Sequence, residues 1–497
     1  LKLLGGSTLG IFFTPLPWKV LDDTAIWTQN WSLIPALPHG ERTERSSRCT
    51  LCAGGCAVRA MCVGGVPYTL SGRSTDVLSG GYLCATGIAA HHLAHHPLRI
   101  DAPLRFTGRD ADAHVEACSV EDAVNALADA ARPQSGATLA ILDAQPGRAI
   151  SGRYAALVAA VPGAMLLSTP SHEDAAFATL ASMVEPSSGS FGMDLDRADL
   201  VVSFGAPLLE GWGAPGRFLA RRGTDRSMRI VQVECRQSAT ARGADEWIAI
   251  TPGSETVLAL TIAQVLLSQG LQEPTLASRA TDFEEYRRAV AAYEPERTES
   301  RTGVAPAIVR RLAGALAAAR TPVVLFSGDP GGGPLEHDAE RAIASLNLLI
   351  GSVSGEGGIV RRAAMPGTTS AAAMKDLRDV PDGSIGVLLL DDAASGSALP
   401  WTLIRRKLVP GSGRVVALAS SWNDLAARAD IVVPAPAPFE ALTETPTPAG
   451  SPVASFALSM PLHPNRATID AAGLIDRVAA AAGLEVDRGI VVDETLT

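Results

Sequence analysis

The chain has 497 residues, a net charge of −10 and a hydrophobic fraction of 47%, with 5% aromatic and 19% charged residues. That length exceeds a single core and implies two or three domains, and the apolar share excludes a wholly disordered chain. Basic residues are scattered through an acidic chain, which leaves no electrostatic footprint for nucleic acid.

The N-terminal run Leu1 to Pro15 is apolar. It is shorter than the roughly 20 residues a bilayer span needs and closer to the apolar region of an export signal. No A-x-A site follows it, which predicts an uncleaved export leader serving as a membrane anchor or packing on a membrane subunit. The plainer alternative is a buried N-terminal helix. The stretch that follows is rich in Pro and Trp (Trp18, Trp27, Trp31), as expected of an extended strap.

Next come Cys49, Cys52, Cys56 and Cys84, spaced C-x2-C-x3-C-x27-C. Three thiolates so close can wrap one corner of a cubane, and a fourth from a later loop closes it, which is the ligand set of a 4Fe-4S cluster. Zinc prefers two C-x2-C pairs. Ala53 after Cys52 excludes c-type haem attachment. Two disulfides among such crowded cysteines would be strained. The remaining Cys62, Cys118 and Cys235 show no pairing pattern and read as small buried hydrophobes.

From Ser119 the pattern becomes helix and strand in alternation. Ser119 and Asp122 stand as a capping box for a helix through Ala131. Apolar strand runs are expected at Thr138 to Leu142, Leu200 to Phe204, Ile230 to Val233, Val323 to Phe326, Gly386 to Leu390, Val415 to Leu418 and Ile431 to Val433. Helical runs are expected at Thr256 to Gln269, Ala305 to Ala319, Glu340 to Ile350 and Ile469 to Ala482. Buried strands alternating with helices predict two doubly wound parallel sheets. An Arg-Ala-Asp before an apolar strand occurs twice, ending at Asp199 and Asp430, and suggests equivalent strands in the two halves.

Several segments, in order, resemble the large subunit of the molybdenum or tungsten bis-pterin (molybdopterin) oxidoreductases. The cluster motif is followed by GGYLCATG (Gly80 to Gly87) and HPLRIDAPLRFTGR (His96 to Arg109). DRADLVVSFGAPLLEG (Asp196 to Gly211), the stretch Ile230 to Leu260 and ARADIVVPAPAPFEALTE (Ala427 to Glu444) continue the likeness. The leader segment Phe12 to Trp31 is similar to that of the molybdopterin-like, molybdenum-free subunit of the periplasmic menaquinone reductase complexes of sulfate reducers.

The resemblance implies an α/β chain with a small N-terminal iron–sulfur domain and two Rossmann-like domains. The expected division is a leader and strap over 1–47, a 4Fe-4S domain over 48–110, a discontinuous Rossmann-like domain over 111–165 and 320–445, a second over 166–319, and a C-terminal extension over 446–497. It also implies a periplasmic place on the membrane, twin-arginine export, and a multihaem cytochrome c, an iron–sulfur subunit and an integral membrane quinone-binding subunit as partners.

Departures from the family pattern bear on activity. Thr86 stands where the resemblance implies a basic residue that carries electrons between cluster and pterin. The loop Gly205-Ala206-Pro207 replaces one with an amide that contacts the cofactor. Glu234-Cys235-Arg236 replaces Asp-Pro-Arg, and Ser254-Glu255 replaces Thr-Asp. Ser168, Ser171 and Asp174 offer no convincing metal ligand. About 50 residues follow Glu444, where the resemblance implies a further cofactor-covering barrel of more than 100 residues in catalytic members, so that barrel is expected to be absent. The expectation is a non-catalytic subunit with one 4Fe-4S cluster on Cys49, Cys52, Cys56 and Cys84, without molybdenum or pterin, serving as scaffold and electron relay. The alternatives are a catalytic molybdenum or tungsten subunit and a subunit of a quinol-oxidising complex.

Two other features have plainer readings. His91, His92, His95 and His96 form i, i+4 pairs on a helix, suited to zinc or to a neighbour's haem, but read more simply as solvated or interface histidines. The glycine loop at 328–333 lacks a phosphate-binding signature and reads as a turn.

Overall fold

The computed structural model describes residues 40–489 apart from 108–113, 133, 135, 169–174, 185–189, 225–226, 328–334, 354–356, 363–373, 393–398, 449–450, 454–456, 464–465 and 467. The expected leader, most of the strap, the glycine loop, Ser171 and Asp174 therefore lie outside the described residues. No described helix is long and apolar enough to cross a membrane.

The described chain begins with an antiparallel sheet of β1 (Arg42–Arg48), β2 (Ala57–Val63) and β3 (Val66–Gly72). Helix α1 (Ala85–Ala89) follows. Strands β4 (Leu104–Thr107) and β5 (His114–Ala117) then form a hairpin at one edge of a larger sheet. Helix α2 (Val120–Ala131) starts on the expected capping box. The Ser119 hydroxyl accepts from the Asp122 amide at 3.2 Å, and the Asp122 carboxylate accepts from the Ser119 amide at 2.8 Å. Hydrogen bonds from Ser119, followed by Arg105, hold the Asp122 carboxyl down at about 2.

Strand β6 (Leu139–Asp143), helix α3 (Ala149–Ala160) and strand β7 (Met165–Ser168) form the first crossover of the larger sheet. The chain then leaves through β8 (Ser190–Asp194) to build a four-stranded parallel sheet. Its members are β9 (Leu200–Phe204), β10 (Arg229–Glu234), β11 (Glu246–Ala249) and β12 (Pro322–Phe326), in the order β11-β10-β9-β12. Helix α4 (Pro215–Thr224) lies between β9 and β10. Strand β13 (Gly358–Arg362) pairs with β8, and β14 (Lys375–Asp376), β15 (Val387–Asp392), β16 (Arg414–Ala419) and β17 (Ile431–Pro434) return to the larger sheet. That sheet runs β14-β7-β6-β15-β16-β17-β4-β5. A short hairpin of β18 (Thr443–Thr445) and β19 (Ala457–Ser459) follows, and α5 (Ala471–Ala482) is the last described element.

Every expected apolar strand run is a strand, and β9, β12 and β6 are buried along their whole length, as parallel strands covered on both faces must be. Strand β12 belongs to the smaller sheet, pairing Phe326 with Phe204. A boundary at residue 320 would instead have placed it with β15. The five residues Pro322 to Phe326 are equally apolar whichever sheet they join, so their composition carried no such information. The stretch after residue 446 is not peripheral: Leu474, Ile475 and Val478 of α5 share a core with Leu127 of α2 and Tyr154 of α3.

The repeated Arg-Ala-Asp has one structural meaning in both halves. Asp199 accepts from the Arg320 and Thr321 amides that lead into β12, and Asp430 accepts from the Val415 amide of β16. Each acid ties the start of its own strand to that of a neighbour.

Candidate functional site

Cys49 follows β1, Cys52 sits in the turn and Cys56 precedes β2. The Cys49 amide donates to the Cys56 carbonyl at 2.9 Å, closing a loop that carries three thiols. Gly55 takes a φ of 54° within it, a left-handed backbone that favours glycine. Cys84 is the N-cap of α1, its sulfur accepting from the Gly87 amide at 3.4 Å. The four cysteines border one cavity of about 230 Å³, together with Leu51, Leu83, Thr86 and Pro215. Among the described residues no three His, Cys, Asp or Glu side chains are grouped to hold a single metal ion. Four thiols around one volume are a soft donor set of the kind a polynuclear iron–sulfur centre uses.

Burial comes first in raising the Cys49 thiol to about 11 and the Cys56 thiol to about 12, with neighbouring cysteines adding to it. Amides of Leu51 and Gly216 pull the other way by hydrogen bonding to those two sulfurs. Buried thiols of this kind give up their protons when a metal takes the sulfur, so rising pH favours metal loading. Beneath the loop, Asp76 accepts from the Ser79 amide at 3.0 Å and from its hydroxyl at 2.6 Å, and pairs with Arg48 at 3.3 Å. Burial pushes the Asp76 carboxyl up, but Ser79, Arg48 and Ala57 outweigh it and leave it below its ordinary value. Its contribution to stability is therefore present at neutral pH and is lost as acid protonates it.

The smaller sheet supplies part of this site. Gly216, in the first turn of α4, is so close that an added Cβ would lie 2.6 Å from the Cys56 sulfur and 3.1 Å from the Tyr82 carbonyl. If the four cysteines hold an iron–sulfur centre, Gly216→Ala is expected to lower its iron content at least several-fold while the parallel sheets stay folded, as read by iron analysis and circular dichroism.

A second cavity of about 700 Å³ lies at the carboxyl ends of β6, β15, β16 and β17. Strand order reverses between β6 and β15, the switch point where doubly wound sheets bind ligands. Asp143 and Asp391 are register partners there, and Arg148 bonds both, at 2.8 and 2.6 Å. The Tyr154 hydroxyl donates to Asp391 at 2.9 Å. Burial and then the Asp391 charge push the phenol's ionisation well up, so it remains a donor. Leu51 borders both cavities and forms the wall between them. Phe439, with φ 68°, is a buried non-glycine residue in the left-handed region, packed in the core that includes Cys49. Such strain persists where the surroundings over-determine it. Here the Leu462 and His463 amides both donate to its carbonyl, and the next residue, Glu440, makes a buried ion pair with Arg99.

No family model matches the chain. It is 30% identical over 486 residues to the menaquinone reductase, molybdopterin-binding-like subunit of Nitratidesulfovibrio vulgaris, a match covering 93% of this chain and 68% of that protein. The chain belongs to the molybdopterin oxidoreductase large-subunit family. The molybdopterin-containing subunit of thiosulfate reductase from Salmonella typhimurium is 26% identical over 329 residues, covering 65% of this chain and 43% of that one. Among solved structures, acetylene hydratase from Pelobacter acetylenicus shares the fold, with a TM-score of 0.65 at 15% identity over 88% of this chain and 69% of that one.

In this molybdopterin oxidoreductase-type chain two of the substituted positions, Ala206 and Glu234, are engaged internally, and Thr86 is not. Thr86 is exposed and borders the cysteine cavity. Ala206 is buried, and its carbonyl accepts from Ser203 and Gln232. The Glu234 carboxylate accepts from the Ser238 amide at 3.0 Å and from the Gln232 side-chain amide at 3.1 Å. The expected i, i+4 pairs do not share a helix face: Ala90–His95 winds as a 3₁₀ helix, with His91 buried and His92, His95 and His96 exposed. At three residues per turn, i, i+4 positions diverge. The signal missed from the sequence is His463, whose ring packs 5.3 Å from that of His95. Burial, ahead of His95, lowers it to about 4, so it is neutral in the fold.

Proposed function

We propose that the chain is a non-catalytic, molybdopterin-oxidoreductase-like subunit of a menaquinone reductase complex, holding one 4Fe-4S cluster on Cys49, Cys52, Cys56 and Cys84. The observation that carries this reading is the ring of four cysteines around one enclosed volume, in a chain similar to a menaquinone reductase subunit over nearly its full length. When bound, the cluster supplies a one-electron centre.

The chain's own residues would hold and insulate it. Amides of Leu51, Gly216 and Gly87 donate to three of the sulfurs and favour their thiolate form. Leu51 and Leu83 would line the cluster's cavity with apolar surface. The scaffold role draws on the same placement, since Gly216 joins the cluster loop to the smaller sheet.

The non-catalytic part of the reading is supported by the internal engagement of Glu234 and Arg148 and by Thr86 in place of a basic residue. The place proposed is the periplasmic face of the membrane. The proposed partners are a multihaem cytochrome c, an iron–sulfur subunit and an integral membrane quinone-binding subunit, with the N-terminal segment touching the membrane or that last subunit. A catalytic molybdenum or tungsten subunit is the competing reading, favoured by the likeness to a molybdopterin-containing thiosulfate reductase subunit. The metal and pterin content of the isolated chain separates the two. Iron without molybdenum, tungsten or releasable pterin supports the proposal, and stoichiometric molybdenum or tungsten with pterin replaces it by the competitor.

A further inference from the structure

The crevice of the larger sheet has the form of a phosphate site, yet its anion position is already filled by the chain. Helix α3 is the first helix after a strand at the switch point, and its first amides face the cavity of about 700 Å³. In doubly wound folds the amides at such a helix start receive a pyrophosphate. Here the Glu444 carboxylate takes them, accepting from the Ala149 amide at 2.7 Å and from the Ile150 amide at 2.9 Å. The cation beside them, Arg148, is turned to Asp143 and Asp391. Glu444 reaches this point from β18, 295 residues further along the chain. The bidentate contact is thus a tertiary feature and not a local helix cap.

We propose that Glu444 is a built-in anion that determines what this crevice admits, turning away molecules that present a pyrophosphate to the start of α3. The inference rests on the reading above that no pterin dinucleotide is held. A phosphate entering here would meet a carboxylate at bonding distance from the same two amides. Like charges so placed repel and oppose entry. Shape does not bar entry, since the cavity is ample for a diphosphate; charge does.

The test is calorimetric titration of inorganic pyrophosphate and ADP into the full-length wild type and into Glu444→Gln, Glu444→Ala and Glu444→Asp, each checked for folding by circular dichroism. Wild type and Glu444→Asp are expected to show no saturable binding at millimolar ligand. The neutral variants should bind pyrophosphate about ten-fold or more tightly than wild type. Pyrophosphate should also raise their thermal midpoints and leave the wild type's unchanged. Wild type binding as tightly as Glu444→Gln would overturn the proposal, as would a folded Glu444→Gln and Glu444→Ala that both still reject pyrophosphate. Pterin release from the wild type on oxidation would instead remove the reading on which the inference rests. Rejecting variants in a pterin-free protein would remove only the role of Glu444.

Discussion

Cys49→Ser is expected to abolish most iron binding and to unfold the cluster segment. Cys49 is buried, its amide closes the three-cysteine loop, and its sulfur lies against α1, close to where a Gly87 Cβ would sit. Small domains built on a metal take much of their folding energy from it, so a local loss of about 3–5 kcal/mol is expected. Iron content should fall to a small fraction of the wild type's. Hydrogen exchange should show lost protection over residues 42–96, with the strands of the two parallel sheets still protected. Retained iron at the wild-type level would place the centre elsewhere.

The second large effect is expected at Arg148. It bridges Asp143 and Asp391, which are 0% and 1% exposed. Arg148→Met keeps the bulk and removes the charge, leaving two carboxylates facing each other without water. Breaking a buried ion network in this way costs about 3–5 kcal/mol, read as a lowered urea midpoint at pH 7. Tyr154→Phe should cost less, about 1 kcal/mol, since it removes one hydrogen bond and leaves the ion pairs in place.

These two sites differ in how far the sequence disclosed them. Three of the four cysteines fall within eight residues, and thiol spacing is a local property that survives folding, so the quartet is legible before any fold is known. The apolar strand runs are legible for the same reason. What the sequence hides is adjacency. Arg148 and Asp391 are 243 residues apart, and no local pattern pairs them. Helix α3 escapes notice because Ala149 to Ala160 carries small and apolar residues around most of its circumference, with no Ser, Thr, Asp or Asn before it. The contact of Gly216 with Cys56 crosses from one sheet to the cluster loop, and a glycine on a helix gives no hint of it. His463 joins His95 across a similar gap. Its low value makes it neutral in the fold, so the stability that depends on it is expected to fade as the pH drops from about 6.5 toward 4.

The proposed protein is a cluster-bearing chain without a pterin metal centre. Quantifying iron, molybdenum and tungsten per chain in the isolated, folded protein by mass spectrometry tests it most directly. About four iron atoms per chain are predicted, as one 4Fe-4S cluster requires, with molybdenum and tungsten at background. Absence of iron, or molybdenum or tungsten near one atom per chain, would contradict it.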